Sequence, residues 1–151
     1  MFNIRRITTD DSEDIFHWRN NQVTRQMSHH SDLIVWEDHE RWFLATLQNP
    51  NRVLLMGENK ETKQKIGVVR FDVEGERALV SINLSPDMRG KGLAVAFLNE
   101  AVEFFNSHFV AVNYIDAEIK DENAASIKVF ERCGFVFTGR RLNVFLYEYV
   151  I

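Results

Sequence analysis

An internal disulfide is impossible in this chain, because its 151 residues include one cysteine, Cys133. A reducing cytoplasm is therefore the expected setting. Long apolar runs are missing too. No stretch approaches the ~18 residues of a membrane span, and residues 1–20 carry no signal-peptide core, so no membrane partner is expected. Repeats, low-complexity segments and linker-like composition are absent. Positive charge is not in excess: 18 Lys and Arg stand against 22 Asp and Glu, for a net charge of −4 and a pI near 5.7. That balance argues against nucleic acid as a partner of the whole domain. No metal-ligand spacing and no Ser/His/Asp arrangement stands out, so no metal is expected.

What is present is apolar material: 45% of the residues, with twelve Phe. A chain of this length and content builds a full core without staples, as one domain over residues 1–151. Residues 2–8 alternate as a first strand. Asp10 or Asp11 looks like the cap of a first helix with Ile15, Phe16 and Trp18 as its apolar part, ending near Asn20 or Asn21. Residues 22–35 show no clean period. Residues 37–48 read as a second helix that buries Trp36, Phe43, Leu44 and Leu47, stopped by Asn49-Pro50. Strands are expected at 53–58, 66–73 and 78–84, the last two as a hairpin around Glu74-Gly75-Glu76. The strongest helix spans 93–107 and buries Leu93, Phe97, Leu98, Ala101, Val102 and Phe105. Strands at 112–119, 135–137 and 143–150 follow. The order describes a mixed α/β fold.

Two segments carry chemistry. The first is Leu84-Ser85-Pro86-Asp87-Met88-Arg89-Gly90-Lys91-Gly92-Leu93-Ala94-Val95-Ala96, a strand end, a glycine-rich basic turn and a helix start. Gly90 and Gly92 accept backbone angles closed to other residues. The first amides of the helix lack intrahelical partners, and the helix dipole is positive there, so an anionic phosphate fits. Arg89 and Lys91 add full charges. Three glycines followed by an acid are absent, as is Gly-Lys-Ser/Thr, so this is neither a dinucleotide fingerprint nor a P-loop. The second segment is Asn123-Ala124-Ala125-Ser126-Ile127-Lys128-Val129-Phe130-Glu131-Arg132-Cys133-Gly134-Phe135. Asn123 is a helix cap, Ile127, Phe130 and Val129 supply the buried stripe, and Gly134 is the left-handed stop.

Arg89-x-x-Gly92-x-Ala94, followed about thirty residues later by an Asn-led helix closing on Gly-Phe, resembles the GNAT acyltransferase superfamily. The specific likeness covers residues 66–139. It implies a twisted, mostly antiparallel sheet with helices on both faces, whose central strands, here 78–84 and 112–119, splay to admit acetyl-CoA. It implies direct acetyl transfer to a primary amine, with Asn83, Leu84, Ser85, Arg89, Gly90, Lys91, Gly92, Leu93, Ala94, Asn123, Ser126 and Phe130 around the cofactor. Asn83, Leu84 and Ser85 would stabilise the thioester oxygen and hold the pantetheine as an added strand. The superfamily often has a tyrosine proton donor seven residues after the Asn; here Phe130 stands there. Ser126 and Tyr147 are the remaining donor candidates.

For the base, Asp116 and Glu118 share one strand face, and a carboxylate tucked between sheet and helix has a raised pKa. His29 and His30 are the other base candidates. Cys133 reads as a small helix-end residue. The acceptor is expected against the first half of the chain, with Trp18, Arg19, His30, His39 and Arg70 as candidates. The arginines and His39 suit a nucleotide diphosphate and Trp18 or Trp36 a sugar or base, with core packing as the other role for Trp18, Trp36 and Trp42. Trp18-Arg19-Asn20 and His39-x-x-Trp42-Phe43 resemble two branches, the amino-sugar N-acetyltransferases of pseudaminic-type pathways and the ribosomal-protein N-terminal acetyltransferases. Three functions follow: acetylation of a nucleotide-linked amino sugar, acetylation of a protein N-terminus or other small amine, and, because of Phe130, a non-catalytic CoA-binding module. The superfamily often forms dimers, so a homodimer is possible.

Overall fold

The computed structural model describes residues 2–29 and 31–151. Seven strands form one sheet in the order β1-β2-β3-β4-β5-β7-β6. They are β1 (Phe2–Arg6), β2 (Arg52–Asn59), β3 (Lys65–Glu74), β4 (Arg77–Leu84), β5 (Tyr114–Lys120), β6 (Val136–Arg141) and β7 (Val144–Val150). Every pairing is antiparallel except β4 with β5. Among the described residues five α-helices accompany them: α1 (Ser12–Asn20), α2 (Gln22–Met27), α3 (Trp36–Gln48), α4 (Ala94–His108) and α5 (Ala124–Arg132). The elements match the mixed α/β expectation to within a residue or two at most ends.

The parallel pair is the feature that shapes a site. Only Arg77, Ala78 and Leu79 of β4 pair with Tyr114, Ile115 and Asp116 of β5. Beyond Leu79 and Asp116 the two strands part, leaving a wedge-shaped gap. β4 is held on its other edge by β3 all the way to Leu84.

Strand alternation divides the core between two faces. Val53, Leu55, Val69, Phe71, Val80, Ile115, Ala117 and Ile119 point to the face covered by α4 and α5, with Phe97, Leu98, Ala101, Val102, Phe105 and Phe130. On the opposite face Leu54, Met56 and Val68 pack with Ile15, Trp18 and Phe43 of α1 and α3. A methyl on Gly57 would overlap the Phe97 ring, and one on Gly67 would lie 2.6 Å from the Asn83 carbonyl oxygen and 3.0 Å from Phe97. Both strand glycines thus let α4 sit directly on the sheet, a packing requirement with no local signature.

Three expectations are corrected. α3 does not bury Trp36 and Leu44, which are exposed; its buried stripe is His39, Phe43 and Thr46. Those positions follow a helical i, i+4, i+7 spacing, but two of the three are polar, which hides the stripe from an apolar pattern. Residues 22–27 are helical although they have no apolar period, because Asn21 caps them with its side-chain oxygen on the amides of Val23 and Thr24. Asp11 does not cap α1 with its side chain. Its buried carboxylate instead accepts from the Thr8 amide and from both terminal nitrogens of Arg5, and pairs with Lys65 at 2.8 Å. That cluster fixes the start of α1 against β1 and β3.

Candidate active site

The loop between β4 and α4 is built for an anion. Gly90 and Gly92 have φ of +74° and +72°, and open space surrounds the position of any Cβ on either. Side chains there would be strained and would fill the approach to the main chain. α4 begins after Leu93 without a side-chain cap, and its first internal bond runs from the Phe97 amide to the Leu93 carbonyl. The amides just before Phe97 therefore point outward unpaired, as a phosphate site requires. Lys91 is exposed beside them. Residues 90–96 thus fit the pyrophosphate of CoA.

Arg89 does something else. Its guanidinium turns away from the loop and donates to Asn21 Oδ1 at 3.0 Å, to Thr24 Oγ1, and to Asn83 Oδ1 at 3.3 Å. Burial lowers its pKa, and no carboxylate pairs with it among the described residues.

At the gap itself, main-chain direction separates the three expected donors. The Ser85 amide donates to the Ile66 carbonyl in β3 at 2.8 Å, so it is not available to a thioester. The Glu76 carbonyl faces the other way, accepting from Asn113 and Tyr114. Alternation then turns the amides of Ile82 and Leu84 into the gap and those of Asn83 and Ser85 toward β3. Of Asn83, Leu84 and Ser85, Leu84 alone presents its main chain to the opening; Ile82 joins it and was not anticipated.

On α5, Asn123 caps the helix by accepting from the Ser126 amide at 3.2 Å. Phe130 is buried and packs edge-on against Phe135, with ring centres 5.0 Å apart. The Ser126 hydroxyl makes no hydrogen bond among the described residues. Tyr147 is also buried, and its hydroxyl donates to Glu131 at 3.1 Å. Burial and that contact raise its pKa. Cys133 is buried with its thiol toward the Val95 carbonyl, and burial pushes its pKa up to about 11, which removes it as a nucleophile.

Asp116 and Glu118 do share a face, opposite Ile115, Ala117 and Ile119. Asp116 sits at the closed end of the gap and is gripped by Arg77 through two bonds of 2.8 Å; Arg77 also holds Glu148. Glu118 lies one pleat further into the open part, 3.3 Å from Arg141. A cavity of about 740 Å³ opens on this face toward the closed end, with Arg52, Asp72, Glu74, Arg77 and Asp116 in its wall. His29 is exposed; His30 lies outside the described residues.

The acceptor candidates Arg19, His39 and Arg70 come together on the same face, while Trp18 is buried in the core between α1 and the sheet. His39 is fully buried, ringed by Phe16, Trp36, Trp42 and Phe43 at centroid distances of 5.3–5.9 Å. Its Nε2 lies 3.0 Å from the Ser12 carbonyl oxygen, so that nitrogen donates. Its Nδ1 lies 2.9 Å from Arg19, which has only donors, so Nδ1 accepts and the ring is neutral. Burial first, then the Arg19 charge, lowers its pKa. Arg19 in turn stacks over Trp42 at 4.1 Å, and Arg70 lies 5.9 Å from the same ring. Burial and Arg70 bring the Arg19 pKa down to about 10. Trp42, which joins the two arginines, was foreseen only as core.

The family model of the GNAT acetyltransferase domain matches residues 2–136. The chain belongs to the GNAT acetyltransferase family. It is an acetyl-CoA-dependent N-acetyltransferase. No curated protein sequence matches it. Among solved structures, it is similar to spermidine N-acetyltransferase from Vibrio cholerae in complex with CoA and spermine, with a TM-score of 0.89 at 19% identity, covering 99% of this chain and 95% of that one. A domain from Methanocaldococcus jannaschii DSM 2661 matches with a TM-score of 0.85 at 24% identity over 100% and 99% of the two chains. A dodecameric structure of the Vibrio cholerae enzyme gives 0.81 at 20% identity over 99% and 93%. At these identities the GNAT fold is shared and the acceptor is not thereby given. No helix among the described residues is long and apolar enough to cross a membrane.

Proposed function

We propose that this GNAT enzyme acetylates a primary amine carried by an anionic small molecule, with a nucleotide-linked amino sugar as the best fit. One observation carries this reading. Arg19 is a largely buried cation with no carboxylate partner among the described residues, held by His39 and Trp42 beside a second arginine, Arg70. Arg70 already pairs with Asp72 at 3.3 Å, so the charge left without a counter-ion is Arg19, and a partly desolvated cation in that state is unfavourable unless an anion completes it. Arg70 pairs across the strands with Ser81, on the part of β4 that borders the gap. An anion at Arg19 and Arg70 would therefore leave the rest of its molecule next to the reacting centre.

Acetyl-CoA supplies an acetyl group activated as a thioester. The chain's own residues divide the remaining work. Residues 90–96 hold the diphosphate. The Ile82 and Leu84 amides stabilise the carbonyl oxygen as it gains charge. Glu118 is assigned as the base that takes the proton from the ammonium form of the acceptor, because a single contact with exposed Arg141 leaves it freer than doubly bonded Asp116. Phe130 has no proton for the leaving thiolate, and Tyr147 is engaged by Glu131, so the Ser126 hydroxyl is the donor on this side.

A polyamine is the second acceptor to test, since the cavity wall carries Asp72, Glu74 and Asp116. Against it, Asp72 pairs with Arg52 and Arg70, and Asp116 with Arg77, so two of the three negative charges already have partners. The test is thiol release from acetyl-CoA with UDP-linked amino-deoxysugars, N-terminal peptides and spermidine in parallel. Turnover with the sugars alone is expected. Turnover with spermidine or peptides and none with the sugars overturns the assignment. Glu118→Gln is expected to lower kcat by about a hundredfold, whereas Asp116→Asn lowers it little; equal losses would remove the assignment of Glu118.

A further inference from the structure

Helix α2 is six residues long and buries none of them. A helix that short has no stability of its own in water, and neither of its apolar residues, Val23 and Met27, is fully buried. It is nevertheless tied to both sides of the gap. On the β4 side, Thr24 Oγ1 lies 3.5 Å from Asn83 Oδ1, and the Arg89 guanidinium bonds Asn21, Thr24 and Asn83 together. On the β5 side, the Lys120 ammonium donates to the Gln26 carbonyl at 3.1 Å. Asn83 and Lys120 stand near the parted ends of the two strands. α2 therefore lies across the mouth of the gap on the face that carries Arg19, His39 and Arg70.

We propose that Arg89 is a positioning residue for this strap rather than a phosphate ligand. It latches α2 to the CoA loop so that filling the loop orders the mouth of the acceptor site. The chemistry favours this division of labour. A planar guanidinium with five donors can join three oxygens from two segments, α2 with its cap and β4, which a lysine ammonium does poorly. Asn21 Oδ1 is at once the cap of α2 and an acceptor from Arg89, so losing Arg89 weakens the helix at its start. The main chain of Arg89 adjoins Gly90, where a bound diphosphate restrains the loop. Any restraint on that backbone passes to α2 through one side chain.

The test needs only coenzyme A. Calorimetry would measure coenzyme A affinity, and hydrogen–deuterium exchange would follow the amides of residues 22–27 with and without it. In the wild type, coenzyme A should slow exchange in 22–27. Arg89→Lys, which keeps the charge, should hold coenzyme A affinity within about threefold. It should also speed exchange in 22–27 by about tenfold and abolish the slowing by coenzyme A. Thr24→Val removes one acceptor from the α2 side without touching the loop, and should reproduce the exchange result with coenzyme A affinity unchanged. Loss of about tenfold or more in coenzyme A affinity in Arg89→Lys would make Arg89 a phosphate ligand and overturn the proposal. Unaltered exchange of 22–27 in both variants would overturn it as well.

Discussion

The two flanks of the gap are built from different materials. The donor flank is main chain: positive-φ glycines, unpaired amides at the start of α4, and the Ile82 and Leu84 amides on a strand edge. The flank proposed for the acceptor is side chain: Arg19, His39, Trp42 and Arg70, drawn from two helices and a strand and held by one another. A main-chain site needs only a short run of residues that permit a conformation. A side-chain site needs distant residues in register, and in the proposed reading it tells one acceptor from another.

The largest effect is expected where the two flanks share support. Phe97 packs against Gly57 and Gly67 and has no exposed surface. Phe97→Ala should cost about 3–5 kcal/mol in urea unfolding and weaken both flanks together. A variant of normal stability would show that the sheet does not rely on this contact.

Gly92→Asp should strike the donor flank alone. A carboxylate and a strained φ in the phosphate loop should lower CoA affinity by about a hundredfold with the circular dichroism spectrum intact. Unchanged affinity would remove the loop assignment. Arg19→Met should do the reverse, raising the KM of an anionic acceptor by about tenfold while CoA binding stays the same. A fall in CoA affinity would mean that the flanks are not separate.

The smallest effect concerns His39. Its folded pKa lies below that of the unfolded chain, so the unfolded chain takes up a proton that the folded one refuses. Its contribution to stability is complete above the ordinary histidine pKa of about 6.5 and declines as the pH falls below it. Denaturation across that window should show a shallower pH dependence in His39→Gln than in the wild type. Equal slopes would mean that the ring accepts its proton without disturbing Arg19.

Much of the donor flank was legible because its determinants are contiguous. Gly90 and Gly92 in a turn, the helix that follows, and Asn123 as a cap each act within a few residues. The polar stripe of α3 was not legible, because the polar partners that satisfy the buried His39, Ser12 and Arg19, lie 27 and 20 residues away. The direction of Arg89 was hidden for the same reason. A basic residue beside a phosphate loop suggests a phosphate ligand, and nothing local shows that Asn21 and Thr24 draw it aside.

By itself the amino-acid sequence determined the order of the strands and of the helices other than α2, the apolar face of α4, and the glycine-rich anion loop, while the parting of β4 and β5 was what the family resemblance implied. Each follows from periodicity, local backbone chemistry or a two-part motif. Only the tertiary structure decided which amides face the gap, which carboxylates are tied up by arginines, and which arginine lacks an acid. Those outcomes are set by strand register and by competition among distant charges for the same few partners.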